Sequence, residues 1–400
     1  MCIRDRYRAI PIIDNVYLVG ARDVSRRLFD SLIPLPRGTS YNSYLVVGTE
    51  KIALIDTVNP GFENELVERI SSVVEPSKLD YVVMNHAEPD HAGAIPYILS
   101  LSPKAKLITT AIGAKMARIF YGIADERMVI VRDGETIDLG GKTLRFIEAP
   151  MLHWPETMFT YLVEDGVLFP CDFFGAHVAQ GLWDDEVEDL IYHAQRYFGE
   201  IMMPFRNNAL NALKKIADLD IKIIAPSHGP IYRNPRKIIE SCYRWARGET
   251  KEKATILYVS MWRYTEKIVK MFADELKSNG IEVVLHDLAV ADAGDVAKDL
   301  VDSRAVVMAT PTVVLNAHPL TVQAAYLAKL LKPPTKYLAI ITLYAWGTAA
   351  DRQLEEMLRD LKAELVGVVK INVTPSKEDV ENLQSLAKEL SKKIRSVASK

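Results

Sequence analysis

Between residues 254 and 396 the chain alternates, five times, a short β-rich apolar run with a stretch whose apolar residues recur at helical spacing. The runs are ATILYVS (254–260), IEVVLHD (281–287), RAVVMAT (304–310), KYLAIITL (336–343) and ELVGVVKI (364–371). The spacing predicts helices over 265–278, 293–302, 319–331, 349–362 and 376–396. Strands this apolar are covered on both faces, and helical crossovers between them make the strands parallel. A doubly wound sheet satisfies both demands, and such sheets take ligands beyond the carboxyl ends of their strands, where the strand order reverses.

The first 250 residues follow another pattern. SYLVVG (43–48) and KIALIDT (51–57) are short β-rich runs around a turn at Gly48–Thr49–Glu50, and FENELVERISSVV (62–74) has helical spacing. YVVMN (81–85) is a buried strand leading into a polar loop, and KLITT, MVIVRD, TLRFIEA, MFTYLVE and VLFP continue the β-rich reading to residue 170. A helical stretch over about 187–218, a strand IKIIAP (221–226) and a helix PRKIIESCYRWA (235–246) follow. Two sheets sandwiched between helices are expected, with chemistry in the loops after the strands. RGETKEK (247–253) has no apolar residue and is the expected boundary between domains 1–250 and 251–400. That division suits 400 residues at roughly 100–200 per domain.

Composition removes several classes. The chain is 49% hydrophobic, too apolar for disorder. Lys and Arg total 49 against 52 Asp and Glu, a balance that argues against a nucleic-acid partner held by bulk charge. The cysteines are Cys2, Cys171 and Cys242; without a C-x-x-C pair they argue against a disulfide framework, a zinc ribbon or a built-in rubredoxin module. No apolar stretch approaches the ~18 residues of a membrane span. The start, MCIRDRYRAI, lacks the apolar core of a secretory signal, so a cytoplasmic location is expected.

NHAEPDHAG (85–93) places His86, Glu88, Asp90 and His91 in one loop directly after a strand. Burying four such groups unpaired is costly, and a metal satisfies them together. His153 in MLHWPE, Asp172 in LFPCDFFG and His228 in APSHGP are offered by three further loops. Four histidines, two aspartates and a glutamate are enough for two metals. Carboxylate oxygens favour iron or manganese over zinc, and a carboxylate can bridge two metals about 3.5–4 Å apart. Tyr197, His177 and Trp154 are candidates to surround the site, with Tyr197 able to donate a hydrogen bond to a bound intermediate.

In the second half, VSMWRYTEK brings Ser260, Met261, Trp262, Arg263, Tyr264 and Thr265 to a strand end and helix start, where hydroxyls and backbone N–H groups suit a phosphate dianion. No Walker motif or G-x-G-x-x-G occurs, which disfavours a nucleoside triphosphate or dinucleotide. MATPTVVLNAHP supplies Thr310, Pro311, Thr312, Val313 and Asn316; LYAWGTAA supplies Tyr344, Ala345, Trp346, Gly347 and Thr348. Aromatics and backbone amides at these strand ends fit an isoalloxazine ring.

The first half resembles a metallo-β-lactamase-like domain in which the usual H-x-H-x-D-H is replaced by H-x-E-x-D-H. That variant, followed by LHWP, CDFFG, PSHG and a flavodoxin-like half, resembles the flavodiiron proteins, or A-type flavoproteins, over about residues 7–395. The resemblance implies an N-terminal αββα sandwich and a C-terminal five-stranded flavodoxin-like sheet. It implies that His86, Glu88 and His153 serve one iron, Asp90, His91 and His228 the other, and that Asp172 bridges them. It also implies FMN in the three loops of the second half, where Ala345, Ala349 and Ala350 stand in place of glycines common in relatives. The family often has a histidine before the YNSYLV stretch; here LFDSLIPLPRGTSYNSYLV offers Asp30.

The activity so implied is reduction of dioxygen to water, nitric oxide to nitrous oxide, or both. The electrons would come from an external donor, either a rubredoxin-like protein or a reduced deazaflavin coenzyme. A head-to-tail homodimer, or a dimer of dimers, would bring the FMN of one subunit to the irons of the other. The competing reading is a dizinc lactamase, lactonase or thioesterase with a flavodoxin-like accessory domain. A third is a flavin electron carrier with a structural metal site.

Overall fold

The computed structural model describes residues 7–396; the MCIRDR start, with Cys2, lies outside the described residues. The chain divides into two compact units. One runs through Tyr197 and resumes over Phe205–Tyr243; the other takes Phe198–Pro204 and the described chain from Arg244 onward.

The first unit is built on two sheets. Seven strands form one, in the order Ile10–Ile13, Val16–Leu18, Tyr44–Val47, Ile52–Ile55, Tyr81–Val83, Lys106–Thr109 and Met128–Ile130. Five form the other: Thr136–Asp138, Thr143–Glu148, Met158–Leu162, Val167–Phe169 and Ile223–Ile224. Side chains alternate across a strand, and both faces here are apolar. Tyr44, Val46, Ala53, Ile55 and Val83 meet Phe146, Met158, Leu162 and Phe169 in one cluster. Leu45, Leu54, Val82 and Leu107 pack instead on Leu66, Ile70, Ile95 and Ile98. A sheet covered on both faces leaves its strand-end loops as the place for polar chemistry.

The helical stretch expected over 187–218 is broken. It comprises an α-helix Leu190–Tyr197, a π-helical turn Phe198–Met202, a 3₁₀ turn Met203–Phe205 and an α-helix Arg206–Lys215. Pro204 has no N–H to continue the ladder, so the register must change before it.

The second unit carries five parallel strands in the order Glu282–Asp287, Lys251–Tyr258, Ser303–Val313, Tyr337–Tyr344, Glu364–Asn372, which is 2-1-3-4-5 in sequence. This is the flavodoxin-like order, with its switch point between the first and third strands. A two-residue strand, Asn316–Ala317, pairs antiparallel with the end of the third. Ile256, Val307 and Ile341 bury one face against Phe272, Leu276, Leu386 and Leu390. The first strand starts at Lys251, three residues ahead of its apolar run. Lys253 is buried there because Asp299, 3.2 Å away, and Asp302 both accept from its ammonium. No helix among the described residues is long and apolar enough to cross a membrane.

Candidate metal centre and flavin crevice

The strand Tyr81–Val83 delivers the loop of residues 85–91 at its carboxyl end, and a polar anchor holds the loop's start. Asn85 donates to Asp56 from its backbone N–H (2.8 Å) and its amide (3.0 Å), and accepts from the Thr160 hydroxyl (2.7 Å). Pro89 opens a single helical turn, Pro89–Ala92, with Glu88 at its N-cap and Asp90 and His91 inside it. His153 precedes the strand Met158–Leu162, Asp172 follows Val167–Phe169, and His228 follows Ile223–Ile224.

These loops gather all seven sequence-marked side chains into two groups. Atoms of His86, Glu88, His153 and Asp172 lie within 4.8 Å of one another, as do atoms of Asp90, His91 and His228. Glu88 Oε2 is 3.1 Å from His86 Nε2 and 3.0 Å from His153 Nε2. Asp172 divides its oxygens. Oδ2 is 3.5 Å from Nε2 of both His86 and His153, while Oδ1 is 3.0 Å from His91 Nε2 and 3.4 Å from His228 Nε2. Asp90 Oδ2 lies 3.2 Å from His228 Nε2.

The charges call for cations. Both oxygens of Asp90 and both ring nitrogens of His91 are buried without a well-directed hydrogen bond, although His91 Nε2 lies close to two carboxylates. Such groups are expensive to bury unless something coordinates them. Burial alone would lower the basicity of the imidazoles. The hydrogen bonds of His86 to Glu156 and Glu88 nevertheless hold its pKa at about 10, and those of His153 to Asp172 and Glu88 hold it at about 10. Asp90 and Asp172 likewise hold His91 at about 9. Burial would raise Asp172, but His91 and His153 hold it well below the usual carboxylate range. The imidazoles thus keep their protons, held by the ionised carboxylates, wherever no metal ion replaces those protons, and the donor set fits two oxygen- and imidazole-binding metal ions.

The surrounding side chains orient the cage. His228 Nδ1 donates to the Ser40 carbonyl at 2.6 Å. Thr39 Oγ1 is 3.0 Å from His177 Nδ1, and His177 Nε2 is buried without a partner. Burial, then the neighbouring His228, pushes the His177 pKa well below its usual value, so it is neutral. Tyr197, expected to donate a hydrogen bond to a bound intermediate, reaches the bridging candidate Asp172. Its hydroxyl donates to Asp172 Oδ1 at 2.8 Å, because a buried carboxylate is the strongest acceptor within reach. Trp154 stands edge-on to His86 with ring centroids 5.1 Å apart. Asp30 sits at the tip of the hairpin Leu28–Phe29/Ile33–Pro34 with φ 48°, beside Phe29, whose ring is 4.8 Å from His177. Burial, then the charges of Glu88 and Asp90, raise the Asp30 pKa.

One buried group escaped the sequence reading. Glu156 Oε1 accepts from His86 Nδ1 at 2.7 Å and from the Ala87 N–H at 2.8 Å. Its signal was an acid three residues after His153 in the same loop.

At the switch point of the second unit, a crevice is lined by Met261, Trp262, Tyr264, Thr265, Pro311, Thr312, Tyr344, Ala345, Trp346 and Gly347, together with Leu343 and Val373. The last two were not anticipated; they end the fourth strand and follow the fifth. Six expected residues, Ser260, Arg263, Thr310, Val313, Asn316 and Thr348, lie outside the lining. Ser260 accepts from the Glu266 N–H in the first turn of the following helix, and Arg263 pairs with Glu266. Val313 and Asn316 close the hairpin with the short sixth strand. Thr312 Oγ1 donates to the Leu343 carbonyl at 2.7 Å and lies 2.8 Å from Thr348 Oγ1, tying two of the three loops together. Trp346 (87% exposed) and Trp262 (77%) stand open at the rim. Their faces suit a flat aromatic ring, and the helix start at Tyr264 suits an anion.

Residues 39–229 match the model of the ODP family beta lactamases, and residues 256–385 that of the flavodoxins. Over 397 residues the chain is 41% identical to the nitric oxide reductase of Moorella thermoacetica, covering 96% of this chain and 98% of that one. It is 34% identical to the coenzyme F420H2 oxidase of Methanocaldococcus jannaschii, covering 97% of each chain. The structure superposes on rubredoxin oxygen:oxidoreductase from Desulfovibrio gigas with a TM-score of 0.93 at 30% identity, covering 97% of this chain and 99% of that one. The flavodiiron protein from Giardia intestinalis gives a TM-score of 0.91 at 30% identity, covering 97% of each chain.

Proposed function

Because the chain belongs to the flavodiiron (type A flavoprotein) family, we propose that it is an oxidoreductase that takes electrons from an external donor through FMN to a di-iron centre and reduces dioxygen to water, nitric oxide to nitrous oxide, or both. The observation that carries the reading is the divided Asp172 carboxylate, with one oxygen facing the His86–Glu88–His153 group and the other facing the Asp90–His91–His228 group. A bridging ligand for two metals needs that geometry.

His86, Glu88 and His153 would hold one iron, Asp90, His91 and His228 the other, and Asp172 both. Thr265, Thr312, Tyr344, Trp346 and the other crevice residues would hold FMN. When bound, the flavin and the iron pair supply the electron storage and the diatomic-gas binding that protein side chains lack. The chain's own part is placement and proton control. Tyr197 fixes the bridging carboxylate, and neutral His177 turns an unengaged Nε2 toward the buried interior. The carboxylates keep the cage anionic enough to retain cations.

The crevice and the cage belong to different units, and apolar surface accompanies each. Trp262, Trp346 and Val314 are exposed on the flavin-side unit; on the other, Ile119 and Phe120 are exposed, the latter 5.9 Å from Trp154. Exposed apolar clusters of this kind favour association. They support a head-to-tail homodimer, in which one subunit's crevice serves its partner's cage. Rubredoxin and F420H2, named for two relatives, are the donor chemistries to try, and a cytoplasmic location suits both.

The test combines composition with turnover. The purified protein is expected to be yellow, with one FMN and two irons per chain, and its reduced form should consume dioxygen or nitric oxide in anaerobic stopped-flow mixing. His86→Asn should abolish gas reduction and leave the flavin bound. A colourless zinc protein with esterase activity would instead establish the hydrolase reading.

A further inference from the structure

We propose that Glu156 is the positioning residue that makes the His86–Glu88–His153 half of the cage the tighter of the two metal sites. The inference rests on the two-metal reading above and adds an order to it.

A single oxygen does the positioning. Glu156 Oε1 accepts from His86 Nδ1 (2.7 Å), which commits that proton to Nδ1 and leaves the Nε2 lone pair for a metal. The same oxygen accepts from the N–H of Ala87 (2.8 Å), the residue between His86 and Glu88. The peptide joining two ligands of one site is therefore held in place. On its other side the Ala87 carbonyl accepts from the Tyr121 hydroxyl at 2.6 Å. The brace is itself anchored. The Glu156 carbonyl accepts from Thr110 Oγ1 at 3.1 Å, and Thr110 caps the helix Ala111–Tyr121. His153 lies three residues before Glu156, so one loop supplies both a ligand and the brace.

The other half lacks an equivalent. His228 is held by the Ser40 carbonyl, but neither ring nitrogen of His91 and neither oxygen of Asp90 has a well-directed hydrogen bond. In the first half the His86 ring is turned by an outer partner before any metal enters, while in the second neither the His91 ring nor the Asp90 carboxylate has one, and fixing them on binding carries an entropic cost. Glu156 Oε2 is also buried without a partner, which leaves a fourth carboxylate charge on the first half alone. Removing an outer partner of this kind typically costs 10–100-fold in metal affinity.

The experiment uses flavin-loaded protein stripped of metal by a chelator and titrated anaerobically with Mn(II), the free ion being counted by electron paramagnetic resonance. The wild-type chain is expected to take up two Mn(II) in two steps separated by about tenfold or more. Glu156→Gln keeps the shape and removes the charge; it should weaken the tight step about 10-fold and leave the weak step unmoved. Glu156→Ala should weaken it about 100-fold. Tyr121→Phe, which frees only the Ala87 carbonyl, should weaken the same step by a smaller factor and guards against a misfolded Glu156 variant. Flavin content and melting temperature serve as controls for the fold. An unchanged tight step in Glu156→Gln and Tyr121→Phe, or an equal loss in both steps, overturns the proposal. A wild-type chain that takes up fewer than two Mn(II) would overturn the two-metal reading itself, a separate result.

Discussion

Tyr197 donates its hydroxyl proton to Asp172 Oδ1 at 2.8 Å, the same oxygen that lies 3.0 Å from His91 Nε2. Burial, then the Asp172 charge, raises the phenol pKa well above its usual value, so this donor stays protonated. A hydrogen bond to a charged acceptor contributes roughly 1.5–3 kcal/mol. Tyr197→Phe should therefore slow gas reduction by about 10–100-fold while metal and flavin contents stay at wild-type values. Stopped-flow turnover with both gases, alongside metal analysis, checks this; unaltered turnover would remove Tyr197 from the machinery.

Metal loading should expel protons. In the metal-free cage His86, His91 and His153 have pKa values of about 10, 9 and 10, so all three imidazoles are protonated at neutral pH. Two entering metals must displace about three protons, countable with an indicator dye in weak buffer. The sign for stability follows. Folded-state values above the unfolded one contribute stability that is complete below about pH 6.5 and lost as pH rises through about 9–10. The stripped protein should melt at progressively lower temperature from pH 7 to pH 10, and the metal-loaded protein should lack this particular loss.

A head-to-tail dimer predicts complementation. His86→Asn disables the cage and Ala345→Trp fills the flavin crevice, so each variant alone should be inactive. Co-expressed, random pairing gives mixed dimers with one intact crevice facing one intact cage, and about a quarter of wild-type turnover should return. No recovery in verified mixed dimers would place the electron path within one chain.

The buried Lys253–Asp299–Asp302 cluster offers a test of the second unit's stability. Asp299 also accepts from His286 Nε2 at 2.9 Å. Burial would raise its pKa, but His286, Lys253 and Lys298 outweigh that and hold it below the usual range. Asp299→Asn leaves buried ammonium charge undercompensated and should destabilise this unit by about 3 kcal/mol. In the wild type, the contribution of Asp299 should be complete above about pH 4 and fade as pH falls further. Urea melts of wild type and Asp299→Asn at pH 7 measure the first effect, and their convergence as pH is lowered from about 4 to about 2 measures the second.

Much of this protein is legible in its one-dimensional order, and the reasons are local. Five apolar runs interleaved with helical periodicity admit few arrangements other than a covered parallel sheet, and its switch point follows from the crossovers. The loop NHAEPDHAG concentrates too many ligand-type side chains beyond one strand to be core, whatever surrounds it. The FMN-side lining was less legible. Ser260 and Arg263 lie in the right loop, yet a hydroxyl at a helix start reads the same whether it serves the helix or a phosphate; here Ser260 accepts from the Glu266 N–H.

Tertiary structure alone decided where atoms point. No spacing rule sets the two oxygens of Asp172 toward different histidine groups, turns the Tyr197 hydroxyl onto one of them, or brings Glu156 under His86 across 70 residues of sequence. The identities of these side chains are written in local pattern. Their directions follow from four strand-end loops meeting in space, and that meeting is set by the packing of two sheets whose pairing joins residues far apart in the chain.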